Sequence, residues 1–150
     1  MGDYLRVTRE CTLETVRPTL AAALRAHMEK QGVTAGAVAA CETTSTKQKI
    51  GLFGGKAEVI LTGVVLAPPW LIWASSKEGE TPVALSARLQ AIHITDYEKS
   101  ELNKLMPDTG LTLTGLRTDG VELGSAFIGF GPEPAAQKFR AALREALMKV

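Results

Sequence analysis

The sequence feature that constrains the fold most is a nearly continuous apolar stretch from Val59 to Ala74. A helix that spans a bilayer needs roughly 20 apolar residues, and this stretch is shorter and is interrupted by Gly63 and Pro68-Pro69. Proline removes a backbone donor and is disfavoured inside a sheet. We therefore predict two buried strands, 57–66 and 70–76, joined by a proline turn, and not a membrane span.

Two other segments carry the apolar periodicity of amphipathic helices. The first covers 12–31, where Pro18 would either kink the helix or lie in the first turn of a helix that starts near Arg17. The second covers 134–149, where Phe139, Leu143 and Leu147 follow one another at intervals of one turn. We expect this apolar stripe to pack on the rest of the protein. The residues that the pattern assigns to the solvent side are Lys138, Arg140, Arg144 and Glu145.

Small and β-favouring residues predict a strand over 36–46, and alternating apolar residues predict another over 82–95. The apolar phase changes near Gln90-Ala91, which indicates a bend or bulge there. The polar segment 96–108 is typical of a loop with a short helical turn. Asp-Gly in the segment 117–120 lies between two β-like runs and predicts a hairpin, because its tight turn needs positive φ angles.

Length and charge limit the broad class of protein. The 150 residues fit one domain, 1–150. The 17 basic and 16 acidic residues nearly cancel, whereas a nucleic-acid binder needs a clustered basic surface, so no nucleic-acid partner is expected. Two cysteines, Cys11 and Cys41, are too few for a disulfide scaffold, and we expect both to be reduced. The first residues lack the apolar core of a signal peptide, and a cytoplasmic location is expected.

The order of these elements resembles the bacterial pleckstrin-homology-like (PH-like) domains. The resemblance is carried by the apolar strand pair 58–66 and 70–74, by the run Ala91-Ile92-His93-Ile94, and by the hairpin that leads into the C-terminal helix. It implies an α+β fold: a strongly bent antiparallel β-barrel or sandwich of about seven strands with a C-terminal helix. The PH-like region would cover 34–150, with helix 12–31 as an N-terminal extension.

The resemblance also implies where a ligand would bind. Many PH-like domains bind phosphoinositides through basic residues near the first strand loop, where this chain has Lys47, Lys49 and Lys56 but does not reproduce the usual Lys/Arg spacing. Independently, Trp70 and Trp73 are an odd number of positions apart and would face opposite sides of one strand. One tryptophan is then a core residue, and the other is a candidate anchor for a partner protein.

No motif in the sequence predicts catalysis or metal binding. The glycine-rich segment 51–56 lacks the residues of a phosphate-binding loop. His93 could pair with Asp96, but no serine lies in a nucleophile elbow, and the histidines and cysteines are too scattered for a metal site. We therefore predict a non-catalytic binding or scaffolding module without cofactor or metal, which recognises a protein or peptide or self-associates. The alternatives are an anionic-lipid or membrane-surface reader and, third, a small-molecule binder or enzyme using the barrel mouth. The serines considered as nucleophiles are Ser75, Ser76 and Ser86.

Overall fold

The computed structural model describes residues 4–47, 57–118 and 121–150. Within these ranges the chain forms eight strands and three α-helices. The elements in chain order are β1 (Leu5–Glu10), α1 (Pro18–Lys30), β2 (Ala39–Lys47), β3 (Glu58–Ala67), β4 (Trp70–Lys77), β5 (Val83–Arg88), β6 (His93–Asp96), α2 (Leu102–Leu105), β7 (Gly110–Thr118), β8 (Val121–Gly129) and α3 (Pro134–Met148).

The strands form two antiparallel sheets that do not close into a barrel. The first sheet has the order β1-β2-β3-β4-β5, and the second has the order β6-β7-β8. The α+β class and the antiparallel sheets agree with the sequence prediction, but the described strands number eight and not seven. The additional strand is β1, where Leu5 and Val7 are exposed and Thr8 is buried. This inverted pattern hides the strand from a search for buried apolar residues.

The predicted strand 82–95 is divided between the two sheets. A 3₁₀ turn at Leu89–Ala91 separates β5 from β6 and carries the chain from the first sheet to the second. Leu89 is buried in the core at this turn. The bend predicted near Gln90-Ala91 is therefore confirmed, and it marks the boundary between the sheets.

Helix α1 begins at Pro18 and not at residue 12, which agrees with the alternative of a helix that starts near Arg17 with Pro18 in its first turn. Proline fits the first turn of a helix because the N–H groups of that turn have no acceptor within the helix. The N–H that proline lacks therefore costs no helical hydrogen bond. Glu42 on β2 holds this end of the helix in place. Its buried carboxylate accepts hydrogen bonds from the backbone N of Arg17 at 2.9 Å and from Nη2 of Arg9 at 2.8 Å.

Two apolar clusters lie on opposite faces of the first sheet. One is packed under α1, where Leu20 and Leu24 are fully buried. The other fills the space between the two sheets and α3 and contains Trp73, Phe139 and Leu143. The predicted strands around Pro68-Pro69 supply residues to both clusters, because successive side chains of a strand point to opposite faces. None of the helices in the described ranges has the length and apolar character needed to cross a bilayer.

One residue that we predicted on the solvent side of the C-terminal helix is buried. Lys138, Arg144 and Glu145 are exposed, but Arg140 is buried with 6% of its surface accessible. The buried surface of α3 is wider than the apolar stripe alone. Arg140 fits there because carboxylates on the second sheet pair with it, as described below.

The two cysteines lie close together where β1 ends beside β2, but their side chains point to opposite faces of the first sheet. Glu10 pairs with Cys41, Cys11 belongs to the cluster under α1, and Cys41 belongs to the cluster between the sheets. Both thiols are free, as expected from the sequence. Burial raises the pKa of Cys11 to about 11 and also raises the pKa of Cys41.

We expect both thiols to resist alkylation in the folded protein, because the thiolate is the reactive form and each group is buried. With iodoacetamide at pH 7.5, labelling of the native chain should be at least about tenfold slower than labelling in denaturant. Mass spectrometry of timed samples measures this ratio at each cysteine. Rapid native labelling of Cys41 would contradict its position between the sheets.

Candidate functional site

A groove lies between the edge of the second sheet and α3, with a volume of about 520 Å³. One wall is β6, and the other is the C-terminal half of α3. Its apolar surface comes from four side chains that belong to the core or pack against it. They are Ile94, Leu111, Leu143 and Leu147.

Strand β6 lines this groove and is also an edge strand of its sheet. It is the terminal strand of its sheet and pairs with β7 from His93↔Thr114 to Asp96↔Leu111. In an antiparallel pair, part of each strand's N–H and C=O groups point away from the partner strand. Among the described residues no strand lies on the other side of β6. The edge can therefore accept one more strand.

A partly buried ionic network lies at the groove, and two of its members, Asp96 and Arg140, line it. Nη1 of Arg140 donates to Asp96 Oδ1 at 2.7 Å and to Glu98 Oε2 at 2.9 Å. Nη2 donates to Glu98 Oε1 at 3.2 Å, and the same oxygen accepts the backbone N–H of Gly110 at 2.5 Å. These bonds tie α3 to the last residue of β6 and to the turn that follows it.

The network also sets the charge of Asp96. Partial burial by itself raises the pKa of this carboxyl, but the hydrogen bond and charge of Arg140, together with Lys99, outweigh it and lower the pKa. Asp96 is therefore ionised at neutral pH, and its charge is compensated by Arg140. The surface of the groove at Asp96 is therefore not negatively charged.

Two further cations stand at the rim of the groove. Lys99 is largely exposed and lies 3.5 Å from Asp96. Arg144 is exposed on α3 and makes no ion pair within the described part of the chain. A groove with apolar walls and a cationic rim is suited to a ligand that carries both apolar and acidic groups.

An exposed apolar patch follows the groove along the chain. Ser100 lines the groove, and the next residues form α2. Leu102 is 47% exposed, Leu105 is 82% exposed and Met106 is 44% exposed.

A second cavity, of about 460 Å³, lies between the C-terminal end of α1 and β5. Here Nε2 of His27 lies 2.8 Å from Oγ of Ser86. Hydrolytic triads contain a serine and a histidine at this distance, together with a carboxylate that orients the histidine. No carboxylate bonds the histidine ring within the described residues, and the pair does not form the complete triad.

The candidate binding residues suggested by the sequence lie in different parts of the structure. Trp73 is 4% exposed and is a core residue, so its side chain is not available to a partner in this structure. Trp70 is half-buried and lines the second cavity. Lys47 lies beside the Tyr4 ring, with Nζ 5.7 Å from the ring centroid, and Lys49 and Lys56 fall outside the described residues.

The histidine and serine candidates also separate. His93 is exposed, as expected for a residue between two inward-facing isoleucines, and it lines neither the groove nor the second cavity. Ser75 lies 3.2 Å from the hydroxyl of Thr62, whereas Ser86 meets His27 and not His93. The glycine-rich segment 51–56 lies outside the described residues.

Comparisons with known proteins identify no relative. No protein-family model, no curated protein and no solved structure matches the chain. The groove and the second cavity are therefore interpreted from their own chemistry.

Proposed function

We propose that this chain is a non-catalytic binding module that receives an extended peptide segment of a partner protein. The segment would add to β6 as a further strand and lie in the groove against α3. The observation that carries this proposal is the unpaired edge of β6 beside an apolar groove. Backbone hydrogen bonds supply affinity in this mode of recognition, and alternate side chains supply specificity.

The walls of the groove indicate what the peptide contains. Side chains that alternate along the added strand would point toward Ile94 and Leu147, which favours apolar residues at those positions. Arg144 and Lys99 at the rim favour a carboxylate on the same peptide. The preferred ligand is therefore an extended acidic peptide with apolar residues at alternate positions.

We also propose that β2 to β8 and α3 form the PH-like unit suggested by the sequence. Seven strands, arranged as four and three, precede the C-terminal helix in this part of the chain. Strand β1 and α1 would be the N-terminal extension, held by the contacts of Glu42. This assignment supports a binding role but does not define one, because one fold serves many functions.

Selection from a random peptide library displayed on phage tests the proposed function. We expect the intact chain to select acidic peptides with alternating apolar residues, and Leu147→Glu to weaken their binding at least about tenfold. Met148→Glu is the matched control, because Met148 is the next residue of α3 and is 81% exposed. Arg144→Glu should also weaken binding, whereas Arg25→Glu on α1 should not.

A second measurement separates strand addition from simple apolar contact. Methylation of alternate backbone nitrogens in a selected peptide blocks its pairing with a strand edge and leaves its side chains unchanged. Methylation of the nitrogens that face β6 should abolish binding, whereas methylation of the alternate nitrogens, which face away from β6, should have little effect. Thermal melts check that every variant is folded. Equal binding by the two methylated peptides, or by Leu147→Glu and Met148→Glu, would overturn the proposal.

A further inference from the structure

We propose that the second cavity, between α1 and β5, binds a small planar organic anion. The cavity is separate from the groove beside β6, and the two share no lining residue. Its volume of about 460 Å³ lies in the range of small-molecule sites in proteins. The inference is therefore independent of the peptide-binding proposal.

The charges around the cavity have one sign. Lys30 and Arg88 line it, and no aspartate or glutamate does. Neither cation makes an ion pair with a carboxylate within the described ranges, although Arg88 lies over the Trp70 ring. An anion in the cavity would lie close to two exposed positive groups, and this complementarity favours it over a neutral or cationic ligand.

The end of α1 does not cancel this preference. The C-terminal carbonyls of a helix carry partial negative charge, which would repel an anion. Here three of them accept backbone hydrogen bonds: His27 from Gln31 at 2.9 Å, Met28 from Val33 at 2.8 Å, and Glu29 from Gly32 at 3.1 Å. With these acceptors occupied, the helix end presents Lys30 and Gln31 to the cavity instead.

The apolar surface of the cavity favours a flat ligand. The Trp70 ring lines it, and the guanidinium of Arg88 lies 4.8 Å from the centroid of that ring. Arginine stacks on flat surfaces and at the same time donates hydrogen bonds to carboxylates. An aromatic body with one carboxylate would use the ring of Trp70 and the side of Ile92 for contact, and Arg88 for its charge.

The His27–Ser86 pair supplies neutral hydrogen-bonding groups at the wall. Burial, and then the charge of Lys30, lowers the pKa of His27, so the imidazole is neutral at pH 7. The recognition of charge then rests on Lys30 and Arg88. The hydroxyl of Ser86 and the imidazole offer a donor and an acceptor for a second polar group of the ligand.

Paired probes of equal shape test this inference. Naphthalene-2-carboxylate carries the charge, and naphthalene-2-methanol has the same ring system without it. We expect the carboxylate to bind at least about tenfold more tightly than the alcohol in titrations followed by amide NMR shifts. The shifted signals should belong to residues around the cavity, such as Ser86 and Ala87.

Charge-removing variants identify the groups responsible. In the double variant Lys30→Gln/Arg88→Gln, the affinity for the carboxylate should fall at least about tenfold, while the alcohol binds as before. Arg25→Gln is the matched control, because it removes a cation from α1 that does not line the cavity. Equal affinity for acid and alcohol, unchanged binding by the double variant, shifts confined to the groove around Leu147, or no binding at millimolar concentration would each overturn the inference.

Discussion

Phe139→Ala is expected to lower the free energy of unfolding by about 3–5 kcal/mol. The Phe139 side chain is 2% exposed and packs edge-to-face on Phe130, with ring centroids 5.8 Å apart. It belongs to the cluster that fills the space between the two sheets and α3. Truncation removes this apolar contact and leaves a cavity that the surrounding strands cannot close. Urea denaturation followed by far-ultraviolet circular dichroism measures the loss.

The same helix provides the control for this result. Met148→Ala should change the free energy of unfolding by less than about 0.5 kcal/mol, because the side chain is 81% exposed. Leu143→Ala, at a position that is 2% exposed, should cost about 2–5 kcal/mol. If Phe139→Ala were as mild as Met148→Ala, α3 would not cover the core, and the groove beside β6 would have no second wall.

The sequence was sufficient to predict the elements whose signals are local. The strands 57–66 and 70–76 correspond to β3 and β4, because a long apolar run broken by prolines admits few other structures. The helix predicted over 134–149 corresponds to α3, because its apolar residues follow the helical period. The bend at Gln90-Ala91 was visible as a change in the phase of alternation.

The sequence could not predict features that depend on contacts distant along the chain. Strand β1 is held by pairing with β2 and by the bidentate contact of Arg6 with Asp108, at 2.9 and 2.8 Å. Neither contact leaves a periodic apolar pattern. For the same reason the groove was missed, since its walls come from separate segments. The contact between His27 and Ser86 was also not predicted, because the two residues are 59 positions apart in the sequence.

Arg140 shows the limit of helical periodicity most clearly. Charged residues on a helix normally mark its solvent side, and the pattern assigned Arg140 there. The decisive fact is the position of Asp96 and Glu98, which the turn after β6 places against α3. A charged residue near the edge of an apolar stripe is therefore a candidate for a buried ion pair when acidic residues occupy the facing loop.

Arg140→Met is the second substitution with a large expected effect, a loss of about 3 kcal/mol in the free energy of unfolding. Methionine keeps the apolar length of the side chain, which lies over the Phe130 ring, but it removes the charge. Glu98 would then lose its ion pair, and Asp96 would keep only its contact with the exposed Lys99. Because the Glu98 side chain is 36% exposed, water can solvate its charge after Arg140 is removed. The expected loss of stability is therefore at the low end of the range for breaking a buried ion pair.

A triple variant isolates the ionic part of this effect. In the background Asp96→Asn/Glu98→Gln no carboxylate remains to be left uncompensated. Arg140→Met should therefore cost less than about 1 kcal/mol there. If it cost as much as in the native background, the role of Arg140 would be packing against Phe130, and the ion pairs with Asp96 and Glu98 would contribute little to stability.

Arg140→Met should make the stability of the protein less sensitive to acid. In the native chain the pKa of Asp96 is held below its ordinary value, so the unfolded state binds the proton first. Its contribution to stability is then complete above pH 3.8 and is lost as the pH falls through the lowered pKa. Without Arg140, burial still raises the pKa of Asp96 and Lys99 still lowers it, so the pKa is less depressed than in the native chain. The variant therefore has less stability to lose on acidification. Parallel urea denaturation of both proteins between about pH 6 and about pH 3, in which the native chain loses more stability, would show that Arg140 stabilises the ionised carboxylate of Asp96.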